Sequence, residues 1–199
     1  MVWGITFEMV QEALRDAPPL IFAALRFGIG CLFGILYYVF ILKKKISDIT
    51  PLELKGGFIC GVVLCFGYAF QSFGLWENTL YTESTPSNSA FITSISVILV
   101  PAFLILLNIQ KVSYKIWFII ALAVLGLFIL LNPNKGINGG DIITFGCAIC
   151  FAVHIILQDI YLRKGAELLK FFIIQVLFVS LFSFVCSALI QENSIIFSN

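Results

Sequence analysis

The sequence predicts an all-α protein built as a polytopic membrane helix bundle, and three observations carry that prediction. The 199 residues are 60% hydrophobic and 12% charged, where soluble domains carry roughly 25% charged residues. Mean hydropathy is +1.05. Apolar runs of bilayer-spanning length, about 20 residues, recur along the chain, and lysine and arginine alternate in the loops between them.

Seven segments follow, taken in order at 1–14, 19–42, 56–76, 87–108, 114–132, 141–162 and 170–190. They are too long for strands and lack strand alternation, so each reads as a helix. Segment one is short: its length gives about 21 Å of helix against a hydrocarbon core of roughly 30 Å. Ala-Pro-Pro at 17–19 separates it from segment two, and the lysines at 43–45 with Pro51 close segment two. Pro86 opens segment four, and Asn-Pro-Asn at 132–134 ends segment five. Gly-Gly-Asp at 139–141 offers Asp141 as an N-cap for segment six.

Orientation follows from the basic residues. Lys43, Lys44, Lys45, Lys55, Lys111, Lys115, Arg163, Lys164 and Lys170 fall on one side, and only Arg15 and Lys135 on the other. The positive-inside rule then places the N-terminus in the cytoplasm and the chain in the cell membrane as a multi-pass protein. A net charge of +1 gives no basis for nucleic-acid binding. The start shows neither a basic region nor a small-residue cleavage site, so no secretory signal is read. All six cysteines lie in apolar segments and read as small packing residues, Cys147-x-x-Cys150 included. No cofactor or metal site is expected.

Polar residues inside the segments need partners or water. In segment four, Ser89, Thr93 and Ser96 fall within about 60° on one face, with Asn88 and Ser94 off it. Pro101 frees the carbonyl of Val97 or kinks the helix. That face reads either as interhelical packing or as the lining of a solute path. In segment two, Arg26 is too deep to face lipid without cost. Glu8 on segment one lies level with it if the hairpin turns between Asp16 and Ala17. The two read as an intramembrane ion pair, as part of a substrate or proton site, or with Arg26 snorkelling to the interface. Gly30-x-x-x-Gly34 and Gly57-x-x-x-Gly61 read as close helix contacts. Tyr68 and Gln71 lie on one face of segment three and are candidates for solute contact. His154, the one histidine, shares a face of segment six with Cys147, Cys150, Gln158 and Tyr161. It suits one interhelical hydrogen bond or a proton relay. The candidate cavity-lining set is therefore Arg26, Tyr68, Gln71, Ser89, Thr93, Ser96, His154 and Gln158. Ser180, Ser183 and Ser187 line up on segment seven and read as packing.

Several short motifs occur in a consistent order. They are Trp3-Gly4 with Thr6-Phe7, the stretch Pro18–Phe27, Ser87–Ser94, Val124-Leu125-Gly126 with the Leu-Leu-Asn at 130–132, and Gly139-Gly140-Asp141 with Phe151–His154. The ordered set resembles the drug/metabolite transporter superfamily, and within it the EamA-like family. The resemblance implies ten helices in two inverted five-helix repeats, a solute site near the midplane and alternating access. On that plan residues 1–132 are one repeat, and 140–199 are the first two helices of the second. Relative to the family, the chain is expected to be cut short at both ends, and the loop before Ser87 is long.

The function this implies is a secondary transporter for a small solute, with efflux as the usual direction in such families. No nucleotide-binding loop is present, so ATP is not read as a direct energy source. One alternative is a non-transporting truncated product, whose uncovered polar faces would assemble poorly or against a second copy. A membrane enzyme would need a nucleophile–base pair or clustered metal ligands, and the sequence supplies neither.

Overall fold

A computed structural model describes residues 2–45, 48–78, 80–131 and 137–190, with side chains omitted at 2–5, 127, 130 and 131. Lys135, the Asn-Pro-Asn break and the end of the second expected repeat lie outside the described residues, as do the side chains of Trp3, Leu130 and Leu131. Among the described residues the regular structure is helical. The helices are α1 (Val2–Asp16), α2 (Pro19–Leu36, continued by a π-helical turn at Tyr37–Ile41), α3 (Pro51–Leu75), α4 (Pro86–Ser94), α5 (Ser96–Leu106), α6 (Tyr114–Leu131), α7 (Gly139–Arg163) and α8 (Leu168–Ile190). Five stretches are long and apolar enough to cross a membrane: Pro19–Ile41, Pro51–Leu75, Pro86–Leu106, Gly139–Arg163 and Leu168–Ile190. Tyr114–Gly126 is a shorter apolar helix.

The fourth segment departs from a single rod. It is interrupted at Ile95, more than a turn before Pro101. The Ser94 hydroxyl donates to the carbonyl of Ala90 at 2.7 Å, a back-bond that bends helices. The Ile95 amide is drawn to Ile92 at 3.0 Å, in a tighter turn than α. The tightened turn at Ile95 thus falls beside a hydroxyl that shares a backbone carbonyl, ahead of the proline that also weakens this stretch.

The chain packs as two compact units, Met1–Asp16 with Phe70–Ile156, and Ala17–Ala69 with Leu157–Asn199. Each unit draws helices from both of the expected repeats. In the first, α1 packs on α4, and α4 on α6. The loop after α3 is held close. Ser84 N–H donates to Gly74 O at 2.7 Å, and Gly140 N–H to Thr82 O at 2.9 Å. A Cβ at Gly140 would collide with the Ser84 amide and lie 2.5 Å from Gly74 O, so only glycine fits there.

The second unit is built on α2 against α8. Cys31, Tyr38, Ile173 and Val176 form one buried cluster, and Cys60, Tyr161, Ala166 and Phe171 another. Gly57 abuts Ile174, while a Cβ on Gly61 would come within 2.9 Å of Phe178 and 3.0 Å of Gln175 O. Gly34 faces Ile173 with a Cβ distance of 3.1 Å. Gly30 corrects the expected pairing with Gly34. It is exposed and a Cβ there would meet nothing within 4 Å. Four residues advance a helix by about 400°, so the two glycines are offset by roughly 40°. Here the contact with α8 lies on the Gly34 side only.

Candidate functional site

Two helices start with the same reciprocal cap. At α3, the Thr50 hydroxyl accepts the Glu53 N–H at 3.3 Å and Glu53 Oε2 accepts the Thr50 N–H at 2.7 Å. At α7, Asn138 Oδ1 accepts the Asp141 N–H at 2.9 Å and Asp141 Oδ2 accepts the Asn138 N–H at 3.2 Å. Both are capping boxes, which satisfy amides that the helix start leaves orphaned. The sequence offers Asp141 as the N-cap, but the capping position is Asn138, three residues earlier, and Asp141 is its N3 partner in the box.

Each carboxylate then does a second task within its own unit. Asp141, 3% exposed, accepts from Ser84 Oγ at 2.5 Å and from Asn88 Nδ2 at 3.2 Å. Asn138 Nδ2 donates to Glu83 O at 3.0 Å. The start of α7 is thereby tied to the start of α4, where Thr85 caps the helix through the Asn88 amide. Nearby, Tyr81 donates its hydroxyl to Phe73 O at 2.5 Å, and burial pushes its phenol above its ordinary pKa. Glu53, 2% exposed, accepts the Glu167 N–H at 3.1 Å and lies 3.7 Å from Lys170 Nζ. Glu167 in turn pairs with Lys44 at 2.6 Å and Lys170 at 3.1 Å. The hydrogen bond from Lys44, more than any other contact, holds the Glu167 carboxyl below its usual range, and the same bond raises Lys44.

Deeper in the first unit, three helices bring polar side chains together. Gln71 of α3 points its Nε2 at Cys147 Sγ of α7, 3.9 Å away, and Thr93 of α4 lies 4.0 Å from the same sulfur. All three are buried, as are Ser89, Ser96 and His154. Among them the Ser89 hydroxyl is fully buried with no hydrogen-bond partner. Thr93 and Ser96 stand on either side of the Ile95 interruption. An open groove of about 440 Å³ in this unit, walled by Phe91, Ile98, Trp117 and Phe128 among others, is apolar and holds none of these residues.

In the second unit, Gln158 of α7 donates to Gln175 of α8 at 3.3 Å. Cys65 and Ser183 lie 3.5 Å apart, and Ser180 donates to Ala24 O at 2.8 Å. The guanidinium of Arg26 sits 5.3 Å from the Tyr68 ring centroid and 5.7 Å from that of Phe27. Among the described residues of this unit, the rings of Phe27 and Tyr68 are its neighbours. Glu8, the expected counter-ion, belongs to the first unit and is exposed.

Sequence reasoning missed the tie made by Asn88. Cys147 reads as a packing residue and is fully buried; Gln71 of α3 and Thr93 of α4 stand 3.9 and 4.0 Å from its sulfur. Asn88 lay off the serine–threonine face; its proximity to a helix start was the available signal, but the Asp141 carboxylate reaches it only through the fold.

Residues 1–132 match the model of the EamA-like transporter family. The chain is 31% identical over 163 residues to an uncharacterized transporter of Archaeoglobus fulgidus, covering 82% of this chain. It is 34% identical over 68 residues to the uncharacterized transporter YoaV of Bacillus subtilis, 34% of this chain and 23% of that one. The chain spans about half the length of the archaeal relative, 47%. No solved structure matches. Motif order, apolar spans and a family match over most of its length agree: this chain belongs to the EamA-like transporter family.

Proposed function

We propose that the chain serves as a secondary transporter that carries a small metabolite or drug across the cytoplasmic membrane by alternating access, in the direction of efflux and with its N-terminus in the cytoplasm. One arrangement carries the reading. The interrupted span α4–α5 sets Thr93 just before its break and Ser96 just after, and Thr93 meets Cys147 together with Gln71. Transporters place polar solutes at interrupted helices, where backbone and side-chain groups are free to exchange partners. Sulfur is a weak acceptor, so Gln71 and Thr93 surrender little by turning to a solute. Ser89, Ser96 and His154 supply further polar groups in the same unit; Arg26, Tyr68 and Gln158, which belong to the second unit, are candidates for solute contact there. In the same reading, 1–132 and 140–199 are one repeat and part of an inverted second.

The test is uptake and counterflow in proteoliposomes, screened with labelled amino acids, sugars and nucleosides. Gln71→Leu and Thr93→Val are expected to lower transport at least about tenfold, the loss of one or two polar contacts. If no solute moves, or both variants carry solute at the native rate, the proposal fails.

A further inference from the structure

We propose that Arg26, flanked by Phe27 and Tyr68, forms an anion subsite that takes a carboxylate or phosphate group. Arg26 is the eighth residue of α2, about 10 Å along a hydrocarbon core of roughly 30 Å. It is half-buried. At that depth a permanent cation needs compensation. Three described carboxylates in its unit are committed elsewhere: Glu53 to Thr50, the Glu167 amide and Lys170, Asp159 to Arg163, and Glu167 to two lysines.

The two rings lie 4.6 Å apart and tilted at 59°, and the guanidinium is within cation–π range of both. Rings interact with a cation but accept no conventional hydrogen bond from its five in-plane N–H groups. They steady the side chain and leave its forked edge for an acceptor. A fork of that geometry matches the paired oxygens of a carboxylate or phosphate. The adjoining rings would also stack an aromatic anion. Phosphate and carboxylate chemistry occurs both in solutes and in lipid headgroups. Identifying the anion with the transported solute rests on the transport reading; the subsite itself does not.

The full chain in phosphatidylcholine nanodiscs is titrated with benzoate and with inorganic phosphate at constant ionic strength, binding being followed by thermophoresis. Saturable binding is expected, about tenfold weaker in Arg26→Gln, with Arg26→Lys and Tyr68→Leu in between. Arg26→Lys keeps a cation in place should Arg26→Gln fail to fold, and elution and helical circular dichroism identify that case. In a second arm, discs contain phosphatidylglycerol. Arg26-dependent retention of that lipid, with no soluble anion bound, assigns the subsite to a headgroup. Native affinity in both Arg26 variants overturns the proposal, as does absence of any anion binding in both arms. So does rescue of a destabilised Arg26→Gln by Glu8→Gln, the sign of an internal ion pair. Uptake in matched vesicles separates the two readings. Arg26-dependent binding without uptake keeps the subsite and removes transport; uptake without such binding does the reverse.

Discussion

The start of α3 reads Thr50-Pro51-Leu52-Glu53 and that of α7, in the other unit, Asn138-Gly139-Gly140-Asp141. Both close a reciprocal cap with a carboxylate at the fourth place. The two carboxylates spend their remaining acceptor capacity differently. Glu53 meets a backbone amide and a lysine within a network that continues to the half-exposed Lys44. Asp141 meets a hydroxyl and an amide, both neutral, with its neighbour Gly140 pressed against the backbone of the preceding loop. Where Gly140 allows backbone contact, Leu52 instead packs its side chain on the Cys60 cluster. One device thus joins helices by charge and side-chain packing, the other by close backbone approach and neutral hydrogen bonds.

The largest expected effect breaks the neutral version. Asp141→Ala strands the buried Asn88 amide and the part-buried Asn138 N–H and leaves the Ser84 hydroxyl only its 3.3 Å contact with Thr85 O; it is expected to cost about 2–4 kcal/mol, at roughly 1–3 kcal/mol per stranded group with partial relaxation. Unfolding by SDS titration in mixed micelles reads this. An effect below that of an ordinary surface alanine would show that the tie between α7 and α4 carries no stability. Gly140→Ala comes next, at about 1–3 kcal/mol, because backbone atoms cannot step aside; Leu52→Ala is the matched control for a side-chain contact.

Amide exchange sharpens the contrast. At Asp141 the Ser84 hydroxyl already lies 3.3 Å from Thr85 O and can reverse its role, accepting from a new amide. Asp141→Asn is therefore expected to be mild. Both oxygens of Glu53 face N–H donors that cannot reverse, so Glu53→Gln sets donor against donor and costs about 1–2 kcal/mol. Equal effects in the same SDS titration would contradict the difference drawn here.

The smallest effect is electrostatic. Glu167 has a depressed pKa through Lys44. Its contribution is present above the ordinary glutamate value, near 4.3, and is lost as pH falls through the lower folded value. Thermal melts between neutral and acidic pH should show a slight loss in this window that Lys44→Gln removes, and salt should mimic it because the pair is exposed. A melt of Lys44→Gln that keeps the full native pH dependence would assign it to another group.

Much was readable beforehand. Spans, punctuation and family motifs are local patterns of hydrophobicity and turn chemistry, which a bilayer enforces because unpaired backbone cannot enter it. The buried positions of Gln71, Ser89, Thr93, Ser96 and His154 follow the same logic: a costly group turns from lipid. What could not be read was which partner each would meet. Cys147 meets Gln71 and Thr93 only because the fold brings them from 76 and 54 residues away. Gly30 and Gly34 look alike in sequence, yet only one faces α8.

By itself, then, the sequence determined that this chain is a helical membrane protein of a transporter family, since hydrophobic length and loop charge are properties of each segment alone. The tertiary structure decided that α4 breaks at Ile95, that Asp141 ties two helix starts, and that Arg26 rests against rings in its own unit. Those outcomes depend on side chains distant in the chain competing for a few hydrogen-bonding groups in a medium with no water to supply the remainder.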